Sequence, residues 1–161
     1  YEIMPSLVGS EMCIRDRYMA AELGWRVTIA HHRPAYLEKG KFASAERILL
    51  IDPVKMTQEL DPDDFDAIIV MSHHLLTDQT YLQQLAGTGV SYIGVLGPRA
   101  RRDRLLDALG STGDGLRGRL RGPVGIDIGA HAPESIALSL LSEIHAMLAG
   151  ASGEALTKDK V

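Results

Sequence analysis

The sequence predicts an α/β fold on a doubly wound, mostly parallel sheet, and three observations predict it. Short β-branched runs, apolar on both faces, recur along the chain as they do in strands covered by helices on either side. Longer segments of helical periodicity separate them, which is the strand–helix–strand alternation of such sheets. With 161 residues, 45% of them hydrophobic and 24% charged, the chain is long enough for one domain with its own core.

The elements follow in order. Strands are expected at Arg26–Ala30, Arg47–Ile51, Ala67–Met71 and Ser91–Leu96, with helices at Val54–Leu60, Gln79–Ala86 and Arg99–Leu109. The last helix, Pro133–Leu148, is the best signalled: Pro133 suits a first turn, Glu134 favours its positive end, and Ile136, Leu140, Leu141, Ile144 and Met147 form an apolar stripe. Gly150 stops it. The segment from Gly110 to Gly122 holds five glycines and three arginines and is expected to be a mobile loop.

The first 17 residues depart from this order. A Rossmann-like sheet should open with a strand, a G-x-G-x-x-G turn and a helix, yet Tyr1 to Arg17 has neither clean period and only Gly9. The first strand and glycine loop are therefore expected to be missing or replaced, with part of the helix surviving from Tyr18 to Gly24. The string from Ser6 to Arg17 looks like translated sequencing-adapter read-through. The expected organisation is a non-native-looking segment at 1–17, a Rossmann-like domain at 18–150 and a flexible tail at 151–161.

Charge and cysteine content exclude several function classes. Seventeen basic and 21 acidic residues leave a net charge of -4, which gives no field for gathering nucleic acid. No run approaches the roughly 18 apolar residues of a membrane span, so no membrane partner is expected. The one cysteine, Cys13, forms no internal disulfide or multi-cysteine metal site, and the cytoplasm is the expected compartment.

Several motifs stand in a specific order: His32-Arg-Pro-Ala-Tyr36, Met71-Ser-His-His-Leu75 with Asp78, Tyr92-Ile-Gly-Val-Leu-Gly-Pro-Arg99, Arg101-Arg102 with Arg104, Gly122-Pro-Val-Gly-Ile-Asp-Ile-Gly-Ala130, and Pro133-Glu134 with Ile136-Ala-Leu-Ser139. In order and spacing they resemble the C-terminal domain of the XdhC/CoxI family from about Met19 to Gly150. The resemblance implies an accessory protein for molybdenum hydroxylases of the xanthine dehydrogenase type. It would bind the molybdenum cofactor, assist its sulfuration by a cysteine desulfurase and hand it to the hydroxylase apoenzyme. Such proteins also carry an N-terminal domain.

Candidate ligand contacts lie where strands should end. Arg33 follows His31 and His32 at the point where a Rossmann domain ordinarily places an acid for the ribose of NAD, and where the family resembled usually has an aspartate. Arg33 could meet a phosphate instead. Ser72, His73 and His74 follow the third recognisable strand; neighbouring residues on extended chain point apart, so the histidines are poor joint ligands for one metal. Asp78 is expected to help open the next helix.

Gly94, Gly97 and Arg99 bring free backbone N–H groups and a guanidinium to one helix start, which suits an anionic phosphate, with Arg102 as a second contact. Gly125 and Asp127 lie before the last helix, where glycine permits close approach and the carboxylate could accept from a hydroxyl or ring N–H. Each position also has a plain structural explanation, as a strand end, a cap or a solvated helix face.

Three functions compete at this level. The first is a non-catalytic chaperone binding the molybdenum cofactor, since no nucleophile with an orienting acid is evident. The second is an NAD(P)-binding oxidoreductase or dinucleotide sensor, weakened by the absent glycine motif. The third is a partner-interaction or homodimerisation domain.

Overall fold

The computed structural model describes residues 2–6, 11–39, 45–72 and 74–157. Six strands, β1 (Glu2–Ser6), β2 (Arg26–His31), β3 (Arg47–Leu50), β4 (Ala67–Val70), β5 (Tyr92–Val95) and β6 (Leu120–Arg121), form one sheet in the order β3-β2-β1-β4-β5-β6. Every pairing is parallel. The helices are α1 (Glu11–Glu22), α2 (Pro34–Lys39), α3 (Met56–Glu59), α4 (Leu75–Leu85), α5 (Arg99–Leu109) and α6 (Pro133–Leu148). Strand order runs one way from β1 to β3 and the other way from β4 to β6, so right-handed crossovers place α1 and α4 on opposite faces. α6 packs on α1, and α5 on α4. This is the Rossmann-like doubly wound sheet the alternation predicted, and no described helix is long and apolar enough to cross a membrane.

The expectation of a missing first strand is corrected. Glu2–Ser6 occupies the central slot, with Ile3 opposite Val27 on one side and Ala67 on the other. Its sequence carries little strand signal because Pro5 lacks a donor and both ends are polar. The slot supplies what the sequence lacks: two flanking strands offer unpaired backbone groups, and Ile3 is buried. The entry is pinned by Glu2 N–H donating to Asp66 Oδ2 at 2.7 Å, Asp66 N–H donating to Glu2 O at 2.8 Å, and an Arg26–Glu2 ion pair at 2.7 Å. The segment expected to carry the glycine turn, 7–10, lies outside the described residues.

The loop expected from Gly110 to Gly122 is also corrected. Gly110–Leu116 winds as a 3₁₀ helix and Leu120–Arg121 forms the edge strand β6. Leu116 is fully buried, and Arg119 donates to the carbonyls of Ala86, Thr88, Val90 and Gly115 at 2.7–3.2 Å. One side chain thus satisfies the carbonyls left at the end of α4. At Gly115 any Cβ would lie 2.6 Å from Ala86 O, so the glycine permits the close approach that propensity alone reads as flexibility.

Helix starts follow local chemistry. Asp52 accepts from Val54 N at 3.0 Å and opens a 3₁₀ turn, Pro53–Lys55, that runs into α3. α4 begins four residues earlier than periodicity suggests because His74 caps it. Ser135 Oγ accepts from His131 N and Ala132 N, both at 3.1 Å, which fixes the entry to α6. The apolar stripe of α6 places Ala137, Leu140, Leu141 and Ile144 in the core.

Candidate functional site

In an open α/β sheet ligands bind outside the carboxyl ends of the strands, where the order reverses. Here that point lies between β1 and β4. The register puts Ser6 beside Ala30 and Val70, so the residues after β2 and β4 flank the end of β1.

At the end of β2, His31 is buried and its Nδ1 accepts from Arg33 N at 2.7 Å. Its ring stacks on His32 with centroids 4.8 Å apart and planes within 6°. Burial foremost, then the neighbouring His32 and Arg33, push the His31 pKa down to about 4. Burial, Arg33 and His74 lower that of His32. Both imidazoles are therefore neutral at pH 7, and the charge carried by the 31–33 corner is the exposed guanidinium of Arg33. Neither His31 nor His32 offers the carboxylate that a ribose diol would need at this strand end.

At the end of β4 the structure assembles a network that sequence reasoning missed. Asp78, fully buried, accepts from Ser72 Oγ and from Ser72 N at 3.1 Å, and pairs with Arg101 at 2.5 Å. Asp78 therefore does not open α4; it ties the turn after β4 to α4 and α5. The arginine neutralises the buried carboxylate, which is the condition for leaving a charge there. The i, i+6 spacing of Ser72 and Asp78 across a turn has no periodic signature, so only the fold reveals it. Ser72 is committed to this network and to His74, whose N–H donates to Ser72 Oγ at 3.2 Å. His74 Nδ1 faces Thr77 Oγ1 at 3.0 Å. His73 lies outside the described residues.

At β5 the glycines have steric roles. A Cβ on Gly94 would lie 2.8 Å from Val124, and one on Gly97, whose φ is +125°, 2.8 Å from Arg101. Arg99 is the exposed first residue of α5 and has no ion pair or hydrogen bond among the described residues. Arg102 is instead paired with Asp103 at 2.7 Å and lies against Gly122. Arg99 and Arg102 stand three residues apart on α5, so the ion pair distinguishes them by partner rather than by helix face.

The 122–130 segment is not a strand but a clamped loop. Glu143 Oε2 accepts from Tyr92 Oη at 2.6 Å and from Gly125 N at 2.7 Å. Ser139 Oγ donates to Ile126 O at 2.5 Å. Burial first, and then Glu143, raise the pKa of Tyr92 far above its ordinary value, so the phenol stays a donor. Gly125, at φ +103°, is obligatory, because a Cβ would lie 2.2 Å from Ser139 Oγ. Between this loop and the end of β5 lies a cleft of about 500 Å³, lined by Leu96, Gly97, Val124, Ile126, Asp127 and Ile136 among others. Asp127 is exposed at its rim.

No group of three or more metal-binding side chains forms among the described residues. A larger hollow of about 1020 Å³ lies away from the strand ends, between Leu23 just after α1, Leu138 and His145 of α6, and the 150–156 segment. Near it Trp25 stacks on His145, and Glu22, Ser142 and Glu154 stand on its wall, but it is not built from strand ends. The carboxyl edge therefore remains the candidate.

Comparison with known proteins agrees with this architecture. Residues 16–144 match the family model described as the XdhC Rossmann domain. A curated Bacillus subtilis protein, described as a probable xanthine dehydrogenase subunit, is 36% identical over 126 residues, which is 78% of this chain and 37% of that one. The crystal structure of a xanthine dehydrogenase from Bacillus halodurans superposes with a TM-score of 0.80 at 26% identity, covering 92% of this chain and 43% of the other. The chain thus spans well under half the length of either relative. A parallel sheet in the order β3-β2-β1-β4-β5-β6, together with the family match over most of its length, places this chain in the XdhC family as its Rossmann domain.

Proposed function

We propose that this chain is the ligand-holding domain of a xanthine-dehydrogenase-related accessory protein, which binds the molybdenum cofactor, supports its sulfuration and delivers it to the hydroxylase apoenzyme. The observation that carries this reading is the cleft lined by Gly97 and Asp127, with the start of α5 two residues beyond Gly97, where Arg99 has no ion pair or hydrogen bond among the described residues. Such a site can hold a flat ring in the cleft and a phosphate at the helix start. The chemistry of the donors fits the cargo: apolar walls and a carboxylate for the pterin, and backbone N–H groups and a guanidinium for the anion. Arg33, with the neutral histidines at the end of β2, offers a second anion contact.

The role in this reading is non-catalytic. Ser72 Oγ is taken up by Asp78, which Arg101 holds in turn. The partners in this reading are a molybdenum hydroxylase and a cysteine desulfurase, and the compartment is the cytoplasm. Incubating the protein with molybdenum cofactor and apo-hydroxylase should restore hydroxylase activity, and a cofactor–protein complex should be isolable beforehand. Failure to form that complex refutes the reading.

Dinucleotide binding is a second reading, favoured by one observation: with β1 in place, the strand order is that of a dinucleotide-binding sheet. The β2 end counts against it, since His31 cannot accept two ribose hydroxyls as a carboxylate does. Calorimetry with NAD and NADP should show weak binding or none; tight binding of either would make this the leading function.

A further inference from the structure

We propose that the cleft between the end of β5 and the 122–130 loop reads the 2-amino-4-oxopyrimidine edge common to pterins and guanine, with Asp127 as the residue that sets this specificity. The proposal rests on the cofactor-binding reading and adds the group that recognises the ring. Three features of the cleft carry it.

The lining is apolar on several sides, with Leu96, Val124, Ile126, Ile128 and Ile136 around about 500 Å³, which suits a flat heteroaromatic ring. Among the described residues Asp127 is the one ionisable side chain in its lining. The carboxylate of Asp127 accepts only from Gly129 N, at a long 3.4 Å, among the described residues, so both oxygens retain accepting capacity. An ionised carboxylate is acceptor-only and matches two parallel N–H donors side by side. The 2-amino group and the adjacent ring N–H of a 2-amino-4-oxopyrimidine present that pair. A phosphate would be repelled by the same carboxylate, which directs the anionic end of the ligand outward, toward Arg99.

Asp127 is also well placed to discriminate, because the segment just before it is fixed. Gly125 N is held by Glu143 at 2.7 Å, Ile126 N donates to Ser139 O at 3.2 Å, and Ile126 O accepts from the Ser139 hydroxyl. The loop therefore loses little entropy on binding.

The test uses the full chain and two matched pairs of probes: pterin against lumazine, in which the 2-amino group is replaced by oxygen, and guanosine monophosphate against inosine monophosphate, which lacks it. Binding is read by fluorescence quenching or calorimetry. Pterin is expected to bind about tenfold more tightly than lumazine, and Asp127→Asn is expected to abolish that preference while leaving the melting temperature unchanged, since the side chain is exposed. If guanosine monophosphate outcompetes pterin and shows the same dependence on Asp127, the edge recognition stands and the ring belongs to a guanine nucleotide. Equal binding of both members of each pair, a preference that survives Asp127→Asn, or no binding of any probe overturns the proposal. Intact molybdenum cofactor bound with no such preference defeats this assignment alone; failure of cofactor and pterin alike defeats the proposed function as well.

Discussion

A carboxylate in an apolar pocket must find a partner or have its charged form disfavoured, and the second holds for Asp16 on α1. It is buried beside Leu140 and Ile144, and neither carboxylate oxygen has a hydrogen-bond partner among the described residues. Burial lifts its pKa to about 7, with the charge of Arg17 pulling the other way. The sign follows directly. Above the ordinary carboxylate range the unfolded chain ionises first, so stability is highest at acid pH and falls as pH rises through 7. Asp16→Leu should remove that slope and stabilise the protein at pH 7.5 by on the order of 2–4 kcal/mol, as read from urea midpoints at pH 5 and 7.5. An unchanged pH profile would show that Asp16 is solvated. His31 works in the opposite sense: its pKa of about 4 costs stability as pH falls below the ordinary histidine value. Comparing Asp16→Leu with the parent at each pH separates the two. Neither behaviour was legible in the sequence, because the burial of Asp16 depends on which face of α1 meets α6, and that of His31 on how the end of β2 is covered.

At the scale of elements, the 110–122 region shows how composition misleads. Five glycines and little apolar content predict mobility, yet the 3₁₀ turn packs Leu116 into the core. Arg119 holds it to the end of α4 through carbonyls of residues 86, 88, 90 and 115. Hydrogen bonds to a charged donor are individually stronger than neutral ones, and four carbonyls lose their partner together. Arg119→Ala should cost about 2–4 kcal/mol and open residues 110–119 to limited proteolysis, whereas Arg117→Ala, whose partner Asp114 is equally exposed, should change stability by less than about 1 kcal/mol. Equal effects of the two substitutions would remove the clasp from consideration. By contrast α5 and α6 stand where periodicity and end signals put them, because an amphipathic stripe and a proline-led first turn are local properties.

For the whole molecule the decisive piece is β1. It joins the β2–β3 half to the β4–β6 half, and both halves pair with it directly. A chain beginning at Glu11 should lose the cooperative urea transition and bind a hydrophobic dye, because β2 and β4 would face each other across an unfilled slot. Retention of a single transition at the parent midpoint would mean that the sheet closes without this strand. The same strand decides what lies at the ligand edge, since it sets the β2 and β4 termini on either side of the point where strand order reverses.

The sequence by itself determined the α/β class, four of the six strands, the long helices and the family, because these rest on periodicity and on motif order along the chain. It also offered Gly97, Arg99, Gly125 and Asp127 as candidate ligand contacts, of which Gly97, Gly125 and Asp127 line one cleft. Only the tertiary structure decided that Asp78 and Arg101 form a buried pair, that Glu143 and Ser139 clamp the loop carrying Asp127, and that Glu2–Ser6 is a strand. Each of those depends on groups far apart in the chain meeting across the sheet, and a strand with almost no propensity of its own is held by the two neighbours whose backbone it satisfies.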